Sequence, residues 1–460
     1  MYSLFKVDFN WGLYLLLAIL IRLLFPSLSW LCYIALMITL HQFLLLFFSM
    51  GHIIPIRYLL GSFMCLQMFL GPTLAYNGLD KFQRGYMRMQ IPYTDYFMYV
   101  IPAVLLFIVG LHIRAGMLEG EYVDEKKVKK FVEKEPSIPY IFVGIGFVSS
   151  IVATFFRSEF GFVFYLLSGF KFIGTFMIIL GTQRIRPFIL VLVYGSVIAS
   201  SISSAMFHDF LTWVIFLGAV FAYKYKPTVG VKAVFAFAFI ILAIFIQMIK
   251  GDYREATWRE GEQAGLETLQ KTIEEGQEKN SLINYEKLAS SNVRINQGYI
   301  ITNIMRNIPA NEPFANGKEL MQILEAAFMP RILAPNKLNS GDREFFIKYS
   351  GMPIAKGTSM GLSSVGDAYI NFGVFGGAVF MFFYGLFFNE VLRAFKRLSN
   401  YYPVLILFTA LVFYYPIRPD CELQTILGHL IKSCFLIFVI MQVWNHKFRD
   451  DKPTSSTSTS

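Results

Sequence analysis

The chain is short of charge. Asp, Glu, Lys and Arg make up only 16% of its 460 residues, while 55% are hydrophobic; soluble domains carry about 25% charged residues. Together with 48 Phe and 25 Tyr, that balance excludes an ordinary water-soluble globule. Cysteine is scarce too. Cys32, Cys65, Cys421 and Cys434 sit in or beside apolar segments, with neither metal-ligand spacing nor a disulfide framework, so they read as small packing residues. No phosphate-binding glycine loop, zinc motif or nucleophile elbow appears, nor any internal repeat. The pattern calls for no metal and no cofactor. Only Lys6 precedes the first apolar run and no small-residue cleavage site follows it, so that run reads as an uncleaved span rather than a signal peptide.

What the sequence does hold is a series of apolar runs, most long enough to cross a hydrocarbon core as helix. They cover Trp11–Phe25, Trp30–Met50, Arg57–Tyr76, Asp95–Met117, Ile138–Phe156 and Phe160–Gly181. Further runs cover Phe188–Ser204, Phe210–Tyr223, Val231–Ile249, Gly366–Leu392, Tyr402–Tyr415 and Leu427–Trp444. An all-α polytopic membrane protein with about twelve spans is therefore expected. The net charge of +10 lies in short connections. Lys126, Lys127, Lys129 and Lys130 share one, Arg184 and Arg186 another, Lys224 and Lys226 a third. Arg393, Lys396 and Arg397 follow the tenth run; Lys447, Arg449 and Lys452 follow the last. This is the positive-inside pattern, with both termini cytoplasmic, and no sign of a nucleic-acid partner.

The expected organisation is 1–249 with nine spans, 250–365 as a large extracytoplasmic loop, 366–446 with three spans, and 447–460 as a disordered Ser/Thr-rich cytoplasmic tail. The connection Lys250–Gly361 is about a hundred residues long, which is rare for a structureless loop. Its first half is acidic (Glu260, Glu262, Glu267, Glu274, Glu275, Glu278), its second basic (Arg294, Arg306, Arg331, Lys337, Arg343, Lys348, Lys356). Helix formers dominate 255–289, and Leu266, Leu269 and Ile273 form an apolar stripe. A helical subdomain over the outer face is expected.

Cations on the outer side oppose the orientation bias: Arg84, Arg88, Arg157, Arg254, Arg331 and Arg418. A set of guanidinium groups at a membrane surface suits a phosphate or pyrophosphate on a lipid, because the planar fork matches phosphate oxygens. The plainer alternative for each is a solubilising charge. Lys171, inside the sixth run, is costly at membrane depth and calls for a partner or aqueous cavity, unless it snorkels. His208-Asp209 is a candidate acid/base pair or a helix-end pair. His41, His112 and His429 read as packing residues, as do Gly373, Gly376, Gly377 and Gly385, which let backbones approach.

The stretch Phe328-Met-Pro-Arg331-Ile-Leu-Ala-Pro335-Asn-Lys337 is followed by Gly357-Thr-Ser359. Gly366-Asp-Ala-Tyr369-Ile-Asn-Phe-Gly373 then opens the next run. With Gly251-Asp-Tyr-Arg254 and Arg418, these residues resemble the O-antigen polymerase (Wzy-like) family of oligosaccharide repeat-unit polymerases. The resemblance covers the general topology, and about sixty residues carry a recognisable pattern. The family's Gly/Ser-rich turn with an Arg before the eighth run is replaced here by Ser203-Ser-Ala-Met-Phe-His208-Asp209. The resemblance implies a GT-C-like helical membrane glycosyltransferase in the bacterial inner membrane. It would polymerise undecaprenyl-pyrophosphate-linked repeat units into O-antigen, capsule or exopolysaccharide, beside membrane lipids, a chain-length regulator and a flippase. On that reading Arg254, Arg331 and Arg418 bind the pyrophosphate, and Asp209 or Glu255 polarises the acceptor. Arg157, Lys171, His208, Arg306, Lys337 and Tyr369 would line the substrate path. The alternatives are an O-antigen ligase, which differs in acceptor, and a flippase or transporter of lipid-linked oligosaccharide, which Lys171 would suit.

Overall fold

The computed structural model describes residues 9–83, 85–114, 122–155, 159–182, 186–259, 263–278, 285–329, 337–339, 341–356 and 358–449. Among these residues the regular secondary structure is all helical, apart from one isolated bridge, Met50 to Ile53. Eight helical runs among the described residues are long and apolar enough to cross a membrane, or nine when a bent pair is counted as one crossing.

The first helices are α1 (Trp11–Leu24) and α2 (Trp30–Ser49), each started by a side-chain cap, Asn10 and Ser29. α3 (Ile56–Cys65) continues through a π turn, Leu66–Leu70, into α4 (Gly71–Tyr76). Proline explains the loosened turn. Gly71 N–H bonds back to Leu66, and Pro72 has no N–H to offer the Gln67 carbonyl. That carbonyl instead accepts from Gln297 N, 3.1 Å away and far along the chain.

After α5 (Tyr93–His112) comes α6 (Glu125–Lys134), a short basic helix bent 85° from α7 (Ile138–Val152). Its apolar face, Val128, Phe131 and Val132, is buried. Next are α8 (Glu159–Ser168), α9 (Phe170–Gly181), α10 (Pro187–Ser204), α11 (His208–Tyr225) and α12 (Val229–Arg254). The long connection then supplies α13 (Leu266–Glu278), α14 (Tyr285–Ile295), α15 (Gly298–Asn307), α16 (Lys318–Phe328) and α17 (Arg343–Ser350). The end of the bundle that carries these helices is the loop end; α6 lies at the opposite one.

The connection is helical as expected, but it does more than lie over the bundle. Residues 298–304 of α15 are all buried. Asn292 donates to the Gly71 carbonyl at 3.0 Å, and α16 packs along the last long helix.

The helical run α18 (Ser363–Ser399) is not one straight helix. Gly373 takes φ 67°, ψ −160°, a region open essentially to glycine. The arm 363–372 there folds back along the arm 374–399. A Cβ on Gly377 would sit 3.1 Å from the Ala368 carbonyl oxygen, and the Phe372 and Phe380 rings meet tilted, with centroids 5.7 Å apart. In a straight helix a nine-residue separation would be about 13 Å. Gly373 therefore serves a sharp turn, not close packing, which corrects the expectation for that position. The expectation holds for Gly385, whose added Cβ would lie 2.2 Å from the Phe107 carbonyl oxygen; that of Gly110 would lie 2.2 Å from the Phe382 oxygen. The folded-back arm is tied down by Asp367, which is buried and accepts from Leu423 N at 2.9 Å. Asp367 thus caps α20 (Leu423–Val443) from a neighbouring helix.

The segment expected as span eleven is a 3₁₀ helix, Pro403–Phe408, followed by the single turn α19 (Thr409–Val412). Ten residues of this geometry cover about 18 Å, short of a bilayer core of about 30 Å. Every one of them is buried, the condition under which irregular backbone is tolerated at membrane depth. The chain closes with α21 (Asn445–Phe448).

A buried guanidinium locks three of these elements together. Arg57 is fully buried, donates from Nε to Leu111 O at 2.9 Å and from Nη2 to Asn389 Oδ1 at 2.8 Å. Asn389 in turn donates to Ile113 O at 2.6 Å. Arg57→Leu abandons these acceptors at a cost of about 1–3 kcal/mol each. A lowered melting temperature in detergent is expected, and an unchanged one would refute the clamp.

Candidate functional site

The loop end gathers cations from three separate stretches of chain. α12 supplies Lys250 and Arg254 in its last turn, α14 supplies Arg294, and the turn between α19 and α20 supplies Arg418. Lys250 lies within electrostatic range of Arg254, Arg294, Asp420 and Arg418. Each is held by the fold. Arg254 Nε donates to Ala205 O at 2.9 Å; Ala205, in left-handed conformation, ends α10 and turns its carbonyl toward α12. Arg294 lies against Gly251, where an added Cβ would come within 3.2 Å of Nη2. Its Nη1 is buried with no hydrogen-bond partner among the described residues. Arg418 sits over the Tyr415 ring at 5.2 Å and pairs with Asp420 at 3.4 Å. Burial alone raises the Asp420 carboxyl. The charge of Arg418, with His208 behind it, outweighs that and holds Asp420 below the usual carboxylate range.

Four cations thus meet Asp420 and the exposed Asp252. Half-buried like charges repel, and an unpaired buried donor is costly. The arrangement is complementary to a polyanion with several oxygens.

Beside it stands a polar chain from another direction. His208 Nε2 lies 2.5 Å from Asp209 Oδ1 at the start of α11, and the same oxygen accepts from the Tyr414 hydroxyl. Tyr414 precedes Tyr415 and Arg418 in the turn, so one short segment joins the carboxylate–imidazole pair to the cations. Burial pushes the Cys421 thiol up to about 12, away from the thiolate form a nucleophile needs.

Of the residues the sequence singled out, Arg254, Arg418, His208 and Asp209 come together here. Glu255 is exposed, one residue beyond Arg254. Arg157 and Arg331, with Arg84, lie outside the described residues. Lys337 donates to Met329 O at 2.5 Å. Arg306 is elsewhere, exposed on α15, bonded to Gln90 and lying over the Tyr86 ring. Two further residues stand away from the cluster. Tyr369 is 6% exposed and packs in the core, with its ring against Tyr99 and Phe314 and its hydroxyl on Ile308 O. Lys171 is buried between α7 and α9, not with the cluster, and donates to Ser150 Oγ at 3.2 Å between the Phe147 and Phe172 rings. Lys250 and Arg294 are the members sequence reading did not select. The signal for Lys250 was slight: a lone cation closing an apolar run.

The fold and site define a helical, polytopic membrane protein with a cationic centre at one end of its bundle. The chain belongs to DUF8712, a family described as a domain of unknown function, whose model matches residues 50–450. No curated protein and no solved structure matches it.

Proposed function

We propose that the protein is a membrane-embedded glycosyltransferase that polymerises undecaprenyl-pyrophosphate-linked oligosaccharide units at the outer face of a bacterial inner membrane. On this reading twelve segments cross or enter the membrane, both termini are cytoplasmic, and the loop end is extracytoplasmic. The observation that carries it is the meeting of Lys250, Arg254, Arg294 and Arg418 beside the His208–Asp209 pair. A pyrophosphate leaving group brings several anionic oxygens to those cations, and fixed donors are worth most where charge develops in the transition state. The acceptor hydroxyl attacks the anomeric carbon of the donor sugar, the bond from that carbon to the pyrophosphate oxygen breaks, and polyprenyl pyrophosphate departs. With Nε2 of His208 engaged by Asp209, Nδ1 takes the hydroxyl proton; Glu255 is the second candidate for that role.

The test uses purified protein in nanodiscs with lipid-linked repeat units, products resolved as a ladder on a gel. Polymer from the wild-type protein is expected. Arg254→Lys, which keeps charge but not the two-pronged donor, should shorten the products. Absence of polymer with folded protein and accepted lipid would sink the reading. In cells, deletion should leave a single attached repeat; loss of all attached glycan would indicate a ligase instead.

A further inference from the structure

The arm 363–372 carries a carboxylate that the fold leaves short of positive charge. Asp367 is 2% exposed, inside a helical run apolar enough to cross a membrane, where an ionised side chain is costly unless something neutralises it. Its Oδ2 accepts from Leu423 N at 2.9 Å, and one N–H does not balance a full charge. The charged groups within its electrostatic range are Glu422 and Glu319, which deepen the deficit. Glu319 is itself engaged by Lys348 and by the Tyr349 hydroxyl. Lys250, Arg254, Arg294 and Arg418 are not among the groups that Asp367 feels.

Two further oxygens are buried beside it. Ser364 lies one turn before Asp367 on the same face of the arm. Tyr384 comes from the 374–399 arm folded against it, within reach of Ser364 and in the field of Asp367. Ser364 is 1% exposed and Tyr384 5%, yet neither hydroxyl makes a hydrogen bond of good geometry to a described residue. Buried polar atoms left in that state call for a bound water or ion. Their surroundings are fixed. The Tyr99 hydroxyl donates to Val365 O at 2.7 Å, Asn371 Nδ2 to Asp367 O at 2.9 Å, and Leu320 N to Asn371 Oδ1 at 3.1 Å. Carboxylate and hydroxyls are thus held beside an interrupted helix, a setting in which membrane proteins bind ions.

We propose that Asp367, Ser364 and Tyr384 bind a monovalent alkali cation, which neutralises Asp367 and pins the folded-back arm to the 374–399 arm and α20. An all-oxygen ligand set suits a hard cation, and one carboxylate matches one positive charge. Among the described residues no three His, Cys, Asp or Glu side chains gather as a divalent ion would ask. The site is separate from the cation cluster and independent of the reaction proposed above.

The experiment uses the full-length protein in zwitterionic nanodiscs, at mildly alkaline pH and fixed ionic strength, with sodium as the probe. Exchanging choline chloride for sodium chloride should raise the melting temperature by about 5 °C and then saturate, and radioactive sodium should bind at one ion per chain. Asp367→Asn keeps an acceptor for Leu423 N and removes the charge, so it should melt independently of sodium and bind none. Ser364→Ala leaves the carboxylate in place and should raise the half-saturating sodium concentration about tenfold; it decides the matter if Asp367→Asn does not fold. A response to potassium in place of sodium supports the same site with a larger ion. Wild-type protein that melts alike in choline, sodium and potassium and binds no sodium would overturn the site, leaving a protonated carboxyl only. Sodium binding that survives Asp367→Asn, or that Ser364→Ala leaves unchanged, would overturn it too. Polymer formation is not among the readouts, so failure of the ion site leaves the enzymatic reading standing, and failure of that reading leaves the ion site.

Discussion

Arg418→Lys is expected to lower the rate of polymer formation about a hundredfold, the usual cost of one lost transition-state donor, with the protein still folded. Lysine keeps a charge for Asp420, now 3.4 Å from Nη2 of Arg418, so the carboxylate keeps a cationic partner. What it loses is the planar fork and the stacking over Tyr415. Arg418→Ala is the poorer test, because it takes away the cation that Asp420 pairs with and mixes a loss of stability with the catalytic one. The measurement is the initial rate in nanodiscs, paired with thermal melting. A wild-type rate in Arg418→Lys would exclude Arg418 from the reacting centre. A fall in rate that follows a fall in melting temperature would mark it as structural.

Gly385→Leu should abolish recovery of monodisperse protein. Gly385 and Gly110 form a reciprocal crossing in which each missing side chain admits the other helix's backbone, at 2.2 Å from an added Cβ on either side. Backbone cannot swing aside as a flexible side chain can, so the cost should exceed the usual overpacking penalty of about 1–3 kcal/mol. Gly195→Leu on α10 is the control, since a Cβ there meets nothing within 4 Å. Size-exclusion profiles of both variants decide the matter: a normal Gly385→Leu profile would mean the crossing does not hold α5 to the 374–399 arm.

The site was legible in part. Arg254, Arg418, His208 and Asp209 stood out because charge near the ends of apolar runs violates a local rule, and local rules are what a sequence displays. Arg294 was only one among several basic residues of the connection. Nothing in its neighbours says that it lies over Gly251, since that contact joins residues far apart in the chain. Arg57 was read merely as the start of a span; its burial against Leu111 and Asn389 depends on two other helices. The Gly-rich stretch of α18 illustrates the same boundary. Glycines at 373, 376, 377 and 385 permit both close packing and sharp turns, and only the path of the chain shows that Gly373 serves a turn while Gly385 serves a crossing.

By itself the sequence determined that this chain is helical and lives in a membrane. Runs of apolar residues must satisfy their own backbone there, and helix is the way one segment can do so. It also determined that the long connection would be helical, from its stripe and its helix formers. The tertiary structure decided which cations meet, that 403–412 stays short and buried, and that the arm 363–372 folds back. Those outcomes depend on contacts between distant segments, and the periodicity of any one segment fixes only which of its faces is apolar, not what that face will meet.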